Sequence, residues 1–460
     1  MTAFSKITER GLSSSLNETD YIMVVAGGSL KRITLANLRA MMEENQQQFL
    51  DENAFYIEEN TASSKGITSC DTGGSSLMRQ IWLSKITGIL MSPDGHYTRL
   101  NPKDHRYTAD GDTVVSNGAV VAAYQKADWF GMLDGGYWNF IQEVVISGVK
   151  HLRHHISLTP LPGGWYTKNV PVGMFKCVML NNQLRSIPFV VPTGDQKINK
   201  FFDLAQARNK NYGLAGEPFR NFLLQYMMAK YGNRDIQNLT AKDGTKIFGP
   251  GLDGTEKSAT STLADGFARQ KNIKTGACLA LGYNDGNVAV KDADNYTCHS
   301  VNVGVWENPY GQYWEMDGHL CSVGTTVYQW DSNFMPSFDK PTVDTFAAVE
   351  HRKLTRIAES TSTHDITLVT TSGAQYMSYV PPTKHTGISY GDSYTYAADG
   401  QLWLVGGDSS SASACGLGRA ASSNAWAYTS SYASARLDYH GEIKEVTSAE
   451  LKKILASALK

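Results

Sequence analysis

The sequence predicts an α+β fold built from short strands, two or so helices and long loops. Glycine is abundant, with 42 residues, and so are the aromatic residues tyrosine (23) and tryptophan (9). Between about residues 60 and 440, short apolar runs alternate with turns rich in Gly, Asp, Asn and Pro, a pattern typical of short strands. Helical periodicity is confined to a few segments. A hydrophobic content of 42% with 19% charged residues indicates a folded chain.

The charge balance argues against two classes of partner. The formal net charge is -2 and no Lys/Arg run is present, whereas binding to nucleic acid or to an anionic membrane needs a clustered basic surface. No run of 18 or more apolar residues occurs, so the sequence predicts no membrane insertion. The first residues lack the basic start and apolar stretch of a signal peptide, so we expect the protein to be made in the cytoplasm.

Residues 1–60 are predicted to form a separate attachment or trimerisation module, followed by a turn-rich connecting segment at 61–114. Residues 21–26 are predicted to form a strand, and Thr34 can cap the helix that follows. This spacing favours either a coiled coil with other chains or a helix docked on its own domain, and the sequence leaves both open. The apolar residues near heptad spacing are Leu35, Leu38, Met42 and Phe49.

Two further helices have clear sequence signals. Pro218 suits the first turn of a helix, and Gly232 can end it. Between them an apolar stripe indicates packing in the core; its residues are Phe219, Phe222, Leu223, Tyr226 and Met227. The segment 444–460 is predicted to be a C-terminal helix that begins with the capping box Thr447-Ser448-Ala449-Glu450.

The sequence predicts no metal site, no cofactor and no catalytic residue. The histidines at 151–155 lack an HExxH pattern. Asp285, Asp292 and Asp294 lack the order of an EF-hand loop and are expected to be solvated turn acids. Residues 307–309 (ENP) are expected to form a structural turn rather than a calcium-binding loop. No GxSxG, P-loop or strand-to-helix GxGxxG motif is present. The six cysteines are Cys70, Cys177, Cys278, Cys298, Cys321 and Cys415. Their spacings are long and include no CxxC pair, so the sequence leaves disulfide pairing open.

The composition of residues 401–440 differs from that of the rest of the chain. They read QLWLVGGDSSSASACGLGRAASSNAWAYTSSYASARLDYH, in which serine and alanine dominate and aromatic residues are interleaved. Buried-type residues such as Trp403, Leu417 and Trp426 recur, so a flexible linker is not expected. We interpret the segment as a frame of apolar and glycine residues that presents Ser, Asn, Tyr and Thr outward, as an adaptable binding surface does. The alternative is a serine-rich surface loop.

Three segments together resemble the target proteins of diversity-generating retroelements, a family typified by the major tropism determinant of a bacteriophage. They are GVWENPYGQYWEMDG at 304–318, FRNFLLQYMMAKYGNRDIQN at 219–238, and GGDSSSASACGLGRAASSNAWAYTSSYASARL at 406–437. The resemblance implies a C-type-lectin-like domain of the formylglycine-generating-enzyme type over residues 115–443. An alternative is that this domain begins at about residue 61. Within it, a variable region would span about 402–439.

In this family, mutation of adenines changes codons to those for Asn, Ser, Tyr, Thr and Asp. The resemblance therefore implies that residues of these types in the variable region touch a ligand. Cys415 and Arg419 are left unassigned. The residues expected to form the frame are Gly406, Gly407, Gly416, Ala425, Trp426, Ala435, Arg436 and Leu437. The expected ligand contacts are Asp408, Ser410, Ser411, Ser413, Ser422, Ser423, Asn424, Tyr428, Thr429, Ser430, Ser431 and Tyr432.

The stretch LNETDYIMVVAGGSLKRITLANL at 16–38 is similar to a short module near the start of phage tail-fibre proteins. This resemblance implies a homotrimer held by phage tail or baseplate proteins, located in the virion at the fibre tip. The ligand would be a bacterial cell-surface receptor, either protein or glycan. The expectation is therefore a binding protein and not an enzyme. Two alternatives stay open: an enzyme on the same fold (a formylglycine-generating-like oxidase or a surface-polysaccharide depolymerase), and a purely structural tail protein.

Overall fold

The fold is α+β and rich in strands, as the sequence predicts. In this computed structural model the described residues are 21–26, 29–60, 70–168, 170–233, 236–254, 270–292, 295–323, 326–329, 352–355, 361–363, 393–396, 401–411 and 415–457. The helices of the described part are α1 (Leu35–Asn53), α2 (Ser76–Ser84), α3 (Ile198–Gln206), α4 (Glu217–Tyr231) and α5 (Ser448–Ser457).

The strands are short. Those of the first half are β1 (Tyr21–Ala26), β2 (Ser29–Thr34), β3 (Phe55–Asn60), β4 (Asp71–Gly74), β5 (Ile86–Met91), β6 (His96–Arg99), β7 (Val115–Ser116), β8 (Ala119–Val120), β9 (Asp128–Leu133), β10 (Tyr137–Ile146), β11 (Val149–Ser157), β12 (Trp165–Thr167), β13 (Val172–Lys176), β14 (Val178–Leu180), β15 (Gln183–Arg185) and β16 (Tyr212–Leu214). Those of the second half are β17 (Gly286–Lys291), β18 (Thr297–Val303), β19 (Trp306–Glu307), β20 (Trp314–Val323), β21 (Thr326–Gln329), β22 (Arg352–Thr355), β23 (Thr361–Thr363), β24 (Ser393–Tyr396), β25 (Leu402–Val405), β26 (Ala420–Asn424), β27 (Ala433–Ser434), β28 (Arg436–Tyr439) and β29 (Lys444–Glu445).

A seven-stranded sheet in the order β16-β28-β13-β9-β5-β6-β29 joins distant parts of the chain. Its strands β5 and β6 lie in the segment 61–114, and β29 lies in the segment 444–460. Strands on both sides of 115 and 443 pair in one sheet, which favours the alternative start near 61 and places the segment 444–460 in the same unit. Every residue of β5 is buried. The turn residues on either side of it led to the prediction of a connecting segment, although the segment contains this core strand.

The N-terminal boundary at 60 also needs correction. Strand β3 pairs with β11 in a five-stranded sheet in the order β12-β10-β11-β3-β4. The C-terminal end of α1 packs on the same part of the protein, because Leu50 and Ala54 are buried in a cluster with Leu161. Of the two alternatives for this helix, docking on its own domain is seen at this end. Thr34 caps the helix as predicted, accepting a hydrogen bond from the amide of Asn37 at 3.2 Å.

Helix α4 occupies the core, and its ends confirm the prediction. Pro218 lies in its first turn and Gly232 ends it in the left-handed conformation, with φ of 64°. The helix is buried on all sides rather than along one stripe, and the buried residues include Arg220, Asn221 and Gln225. A polar side chain at such a position needs an internal partner, so α4 brings charge and hydrogen-bonding groups into the centre of the protein.

The acids expected to be solvated have structural partners instead. The side chain of Asp285 is 2% exposed and pairs with Lys230 at 2.6 Å, and it accepts hydrogen bonds from the hydroxyls of Tyr226 and Tyr231. Asp292 is buried and accepts the amide of Tyr296. Asp294 lies outside the described residues.

The six cysteines are all buried and none is paired in a disulfide. The sequence left this pairing open. Burial raises the pKa of the Cys70 and Cys321 thiols to about 12, so these thiols are un-ionised and act as small apolar side chains.

An eight-stranded sheet contains three of the strands formed by residues 402–439. Its order is β22-β21-β20-β25-β26-β24-β23, and β27 pairs in parallel with β20. Strands β25 and β26 of this sheet and β28 of the seven-stranded sheet all come from residues 402–439. The variable region therefore spans both sheets, and most of its apolar residues lie in the core.

The C-terminal helix is part of the core, which leads to a first prediction. Its capping box is formed, with the Glu450 amide donating to Thr447 Oγ1 and the Thr447 amide donating to the Glu450 carboxylate. Leu451 and Leu455 are buried in the main core cluster. Leu451→Ala should therefore lower the free energy of unfolding by about 2–5 kcal/mol, measured by urea denaturation. The control Lys453→Ala, at an exposed position of the same helix, should change it by at most about 0.5 kcal/mol; equal effects would contradict the docking of this helix.

Candidate functional site

Two glycines fix the start of the variable region. Gly406 and Gly407 have φ of 85° and 76°, a conformation that favours glycine. A Cβ on Gly406 would lie 3.0 Å from the carbonyl oxygen of Pro309, and one on Gly407 would lie 2.7 Å from Cys415 Sγ. Cys415, which the sequence left unassigned, is buried and donates to the carbonyl of Asp408 at 3.1 Å. Its thiol therefore belongs to the frame.

Most of the expected ligand contacts are accessible to solvent. Three are exposed and six are half-buried, and together we call them the C-terminal surface. The exposed residues are Ser410, Ser423 and Thr429, and the half-buried ones are Ser411, Asn424, Tyr428, Ser430, Ser431 and Tyr432. The frame residues Trp426, Ala435, Arg436 and Leu437 are buried beneath them.

Two of the expected contacts are wrong, because their side chains point inward. Ser422 is fully buried, while its neighbour Ser423 on strand β26 is exposed. Asp408 is also buried, and its carboxylate closes a turn by accepting hydrogen bonds from the hydroxyls of Ser410 and Ser411. This is a structural role common for Asp in turns.

Two further expectations concern positions near these residues. Ala425 was expected in the frame but is exposed, because it lies in the turn after β26, where its carbonyl accepts the amide of Tyr428 at 3.0 Å. Ser413 lies outside the described residues.

A chain of contacts brings the turn at 408–411 next to the loop at 428–432. The amide of Ser409 donates to the carbonyl of Gln312 at 3.3 Å. The Gln312 side chain in turn donates to the carbonyl of Lys271 at 3.4 Å. The ammonium of Lys271 lies 4.6 Å from the centre of the Tyr432 ring, within the range of a cation–π contact. The two segments are therefore linked through Gln312 and Lys271.

The other side of Tyr432 is held by Trp314. The Trp314 amide donates to the carbonyl of Tyr432 at 2.8 Å, and the guanidinium of Arg419 lies 5.1 Å from the centre of the Trp314 ring. Arg419 is half-buried. The sequence left its role open, and the structure places it beside the C-terminal surface. Nearby, the Asp195 amide donates to the carbonyl of Ser430 at 2.9 Å, which fixes the loop from a third direction.

A buried cluster of charges lies under this surface, and we call it the charge cluster. The carboxylate of Glu315 contacts Arg436 at 2.8 Å, Arg220 at 2.7 Å and Lys176 at 3.0 Å. No side chain of the four is more than 4% exposed. Glu315 comes from β20, Arg436 from β28, Arg220 from α4 and Lys176 from β13, so the cluster joins both large sheets to the central helix.

The cations of the cluster also satisfy backbone carbonyls. Arg436 donates to the carbonyls of Gly173, Met174 and Glu307, and Arg220 donates to the carbonyl of Pro309. These bonds hold the segment 307–309 against β13. They occupy N–H groups that would otherwise be buried without partners, a condition for a buried ion pair to be tolerated.

The pKa values of the cluster reflect burial and mutual attraction. Burial alone would raise the pKa of Glu315, but Arg220, Arg436 and Lys176 hold it well below its usual value. Burial lowers the pKa of Lys176 to about 8 against the opposing effect of Glu315. At neutral pH the cluster thus contains one carboxylate and three cations.

Glu307 lies next to the cluster in the ENP segment. Its carboxylate accepts the amides of Gly276 at 2.8 Å and Cys278 at 2.7 Å. Burial raises the pKa of Glu307 to about 7, although these amides and Arg436 act in the opposite direction. The carboxylate is thus used to fix a neighbouring loop, and the segment forms a structural turn.

Sequence reasoning missed Glu315, Arg220 and Lys176. The available signal was the presence of Arg, Asn and Gln within the apolar run of α4, because charged residues are seldom fully buried unless paired. It also missed His319, Asp438 and His440, whose side chains meet in the structure. Asp438 and His319 are 119 residues apart in sequence, so no local motif indicates their contact.

Comparison with known proteins gives no identification: no family model matches this chain, and no curated protein matches it significantly. Among the described helices, none combines the length and apolar character needed to cross a membrane.

The charge cluster gives a prediction about stability. Glu315→Gln removes the only carboxylate that contacts the three buried cations among the described residues. We expect the free energy of unfolding to fall by about 3–5 kcal/mol, because breaking a buried pair leaves charge uncompensated. Guanidinium denaturation of both proteins measures it. The matched control is Glu445→Gln, which removes a half-exposed partner of Arg99 and should cost at most about 1 kcal/mol. Similar losses in the two variants would contradict the assigned importance of the cluster.

The lowered pKa of Glu315 gives a prediction about how the stability of the protein depends on pH. A carboxyl group whose pKa is lower in the folded than in the unfolded state stabilises the fold above its unfolded pKa, and the stabilisation is lost as pH falls through the folded pKa. The difference in unfolding free energy between wild type and Glu315→Gln should therefore be constant above the ordinary value of 4.5 and shrink below it. Urea denaturation between about pH 3 and 7 measures this difference. A difference that is constant over the whole range would show that the pKa of Glu315 is not lowered in the folded protein.

Proposed function

We propose that this protein is a receptor-binding protein of a phage tail fibre that binds a bacterial surface molecule through the C-terminal surface. The supporting observation is the contrast between that surface and its frame. Hydroxyl, amide and phenol side chains are accessible, while the glycine turn, the tryptophans and the charge cluster beneath them are buried. The proposal is for binding without catalysis.

The chemistry of the surface suits recognition of a protein or a glycan. Tyr428 and Tyr432 provide rigid amphipathic contact area at low entropic cost, and serine and threonine hydroxyls adapt their hydrogen bonds. Lys271 adds positive charge beside the Tyr432 ring, and Arg419 adds positive charge over the Trp314 ring. A ligand with hydroxyl or acidic groups next to an apolar face would satisfy these side chains together.

We further propose that the variable region lies in a C-type-lectin-like domain, as its resemblance to targets of diversity-generating retroelements implies. On this proposal the frame stays constant while the accessible positions vary. The domain would begin before β5 and include α5, since the strands and helix of those segments belong to one core. The observed arrangement of a buried central helix and two sheets is compatible with such a domain.

The N-terminal part would attach the protein to phage tail or baseplate proteins in a homotrimer within the virion. Helix α1 docks on the domain at the end where Leu50 is buried, and the resemblance assigns its beginning to attachment. Three copies of the C-terminal surface on one fibre would bind a cell by avidity, so each contact can be weak.

The proposal predicts that one tyrosine can be removed without loss of stability. Tyr432→Ala should weaken binding to susceptible cells by roughly thirtyfold, equal to about 2 kcal/mol for a central aromatic contact. It should leave Tm nearly unchanged, because the ring is half-exposed. Fluorescently labelled protein titrated onto a panel of fixed bacterial cells gives the affinity, and calorimetry gives Tm.

The matched control is Tyr107→Ala, since Tyr107 is 39% exposed and lies outside the C-terminal surface. It should bind as the wild type does. Unchanged binding by Tyr432→Ala, or an equal loss in both variants, would count against the C-terminal surface as the contact site. A large drop in Tm for Tyr432→Ala would assign the ring to the core.

A further inference from the structure

A second group of polar side chains lies between the two large sheets. Strand β20 supplies His319, β28 supplies Asp438, and His440 follows directly. The Nε2 atoms of His319 and His440 lie 3.1 Å and 3.0 Å from the same oxygen, Asp438 Oδ2. One possible ligand atom from each residue lies within 4.8 Å of the other two. The side chains are at most 5% exposed.

The contacts within the group leave several of its polar atoms unsatisfied. Among the described residues, no hydrogen-bond partner is found for Nδ1 of His319, Oδ1 of Asp438 or either ring nitrogen of His440. The 3.0 Å contact between His440 and Asp438 is thus an ion-pair distance without hydrogen-bond geometry. Buried polar atoms normally have partners, so the convergence of two imidazoles and a carboxylate at one point indicates a binding site for a cation.

The group forms part of the wall of a cavity of about 60 Å³. This is room for several water molecules or a hydrated ion. The lining also includes the apolar side chains of Val172, Phe219 and Trp306. An ion held here would have its protein ligands on one side and space for one or two waters on the other.

We propose that His319, Asp438 and His440 bind a divalent first-row transition ion, with Zn²⁺ as the best fit. Histidine nitrogen and aspartate oxygen bind zinc at about 2.0–2.2 Å, which places two ligands of a tetrahedral ion about 3.3 Å apart. The observed separations of 3.1 Å and 3.0 Å need little adjustment. A water molecule from the cavity supplies the fourth ligand. Ca²⁺ and Mg²⁺ prefer oxygen ligands and fit poorly.

The position of the ion gives it a structural effect. His319 belongs to the strand that carries Glu315, and Asp438 belongs to the strand that carries Arg436. The ion therefore links β20 to β28 a second time, beside the charge cluster. This inference does not depend on receptor binding, and it differs from the sequence-based expectation of no metal site.

The experiment uses the full chain purified without a histidine tag. After dialysis against chelator, the protein is equilibrated with Zn²⁺ or Ca²⁺, and bound metal is measured by elemental analysis. We expect one Zn²⁺ and no Ca²⁺ per chain. His319→Ala and His440→Ala should each weaken zinc binding by at least about tenfold, since even residues that only orient a ligand cost that much. Co²⁺ in place of Zn²⁺ should give the visible absorption of a tetrahedral site, and His440→Ala should abolish it.

The matched control is His96→Ala, which removes a histidine from another pair with an acid, Asp94, at 3.2 Å. It should bind zinc as the wild type does. Circular dichroism checks the fold of each variant. If His319→Ala does not fold, the cobalt spectrum of the wild type and the zinc affinity of His440→Ala decide. Failure of the wild type to retain zinc, a cobalt spectrum without tetrahedral bands, or unchanged zinc affinity in His440→Ala would each overturn the proposal.

Discussion

The buried carboxylate of Glu315 is the constraint on which the arrangement of this protein depends. Three cations from three other elements converge on it, and none of them has access to bulk water. A buried charge without its partner costs several kcal/mol, so β13, β20, β28 and α4 have little freedom to shift apart. Hydrophobic packing alone is less directional. The charge cluster therefore sets the register between the two sheets.

This rigidity gives the C-terminal surface a fixed support. The side chains that fix the variable region point inward: Cys415, Ser422, Arg436 and Leu437 are all buried. Residues such as Ser423 and Thr429 point outward, and substitutions there remove few core contacts. A binding surface keeps its geometry when its support is fixed by packing and internal hydrogen bonds. Tyr432 combines both properties, since its carbonyl is held by Trp314 while its ring remains accessible.

Local patterns in the sequence predicted local structure well. The caps at Thr34, Gly232 and Thr447 depend only on neighbouring residues, and the structure shows all three. Domain boundaries were harder to predict because strand pairing is non-local: nothing in the sequence of β5 or β29 indicates which strand lies beside it. Composition identified most accessible residues of 408–432 but could not separate Ser422 from Ser423. That difference depends on the register of β26, which a single sequence does not determine.

The same limit applies to the residues that meet between the sheets. Glu315 meets Arg436, and His319 meets Asp438, yet each pair is more than 100 residues apart in the chain. Both pairs join β20 to β28, so two sets of polar groups hold the same two strands at neighbouring points. At Glu315, three protein cations surround one carboxylate. At Asp438, the side chains that meet the carboxylate are two histidines, and a bound cation would neutralise its charge. The Asp438 oxygen Oδ1, an acceptor, and the ring nitrogens of His440 have no hydrogen-bond partner among the described residues, and the cavity beside them leaves room for an ion from solution.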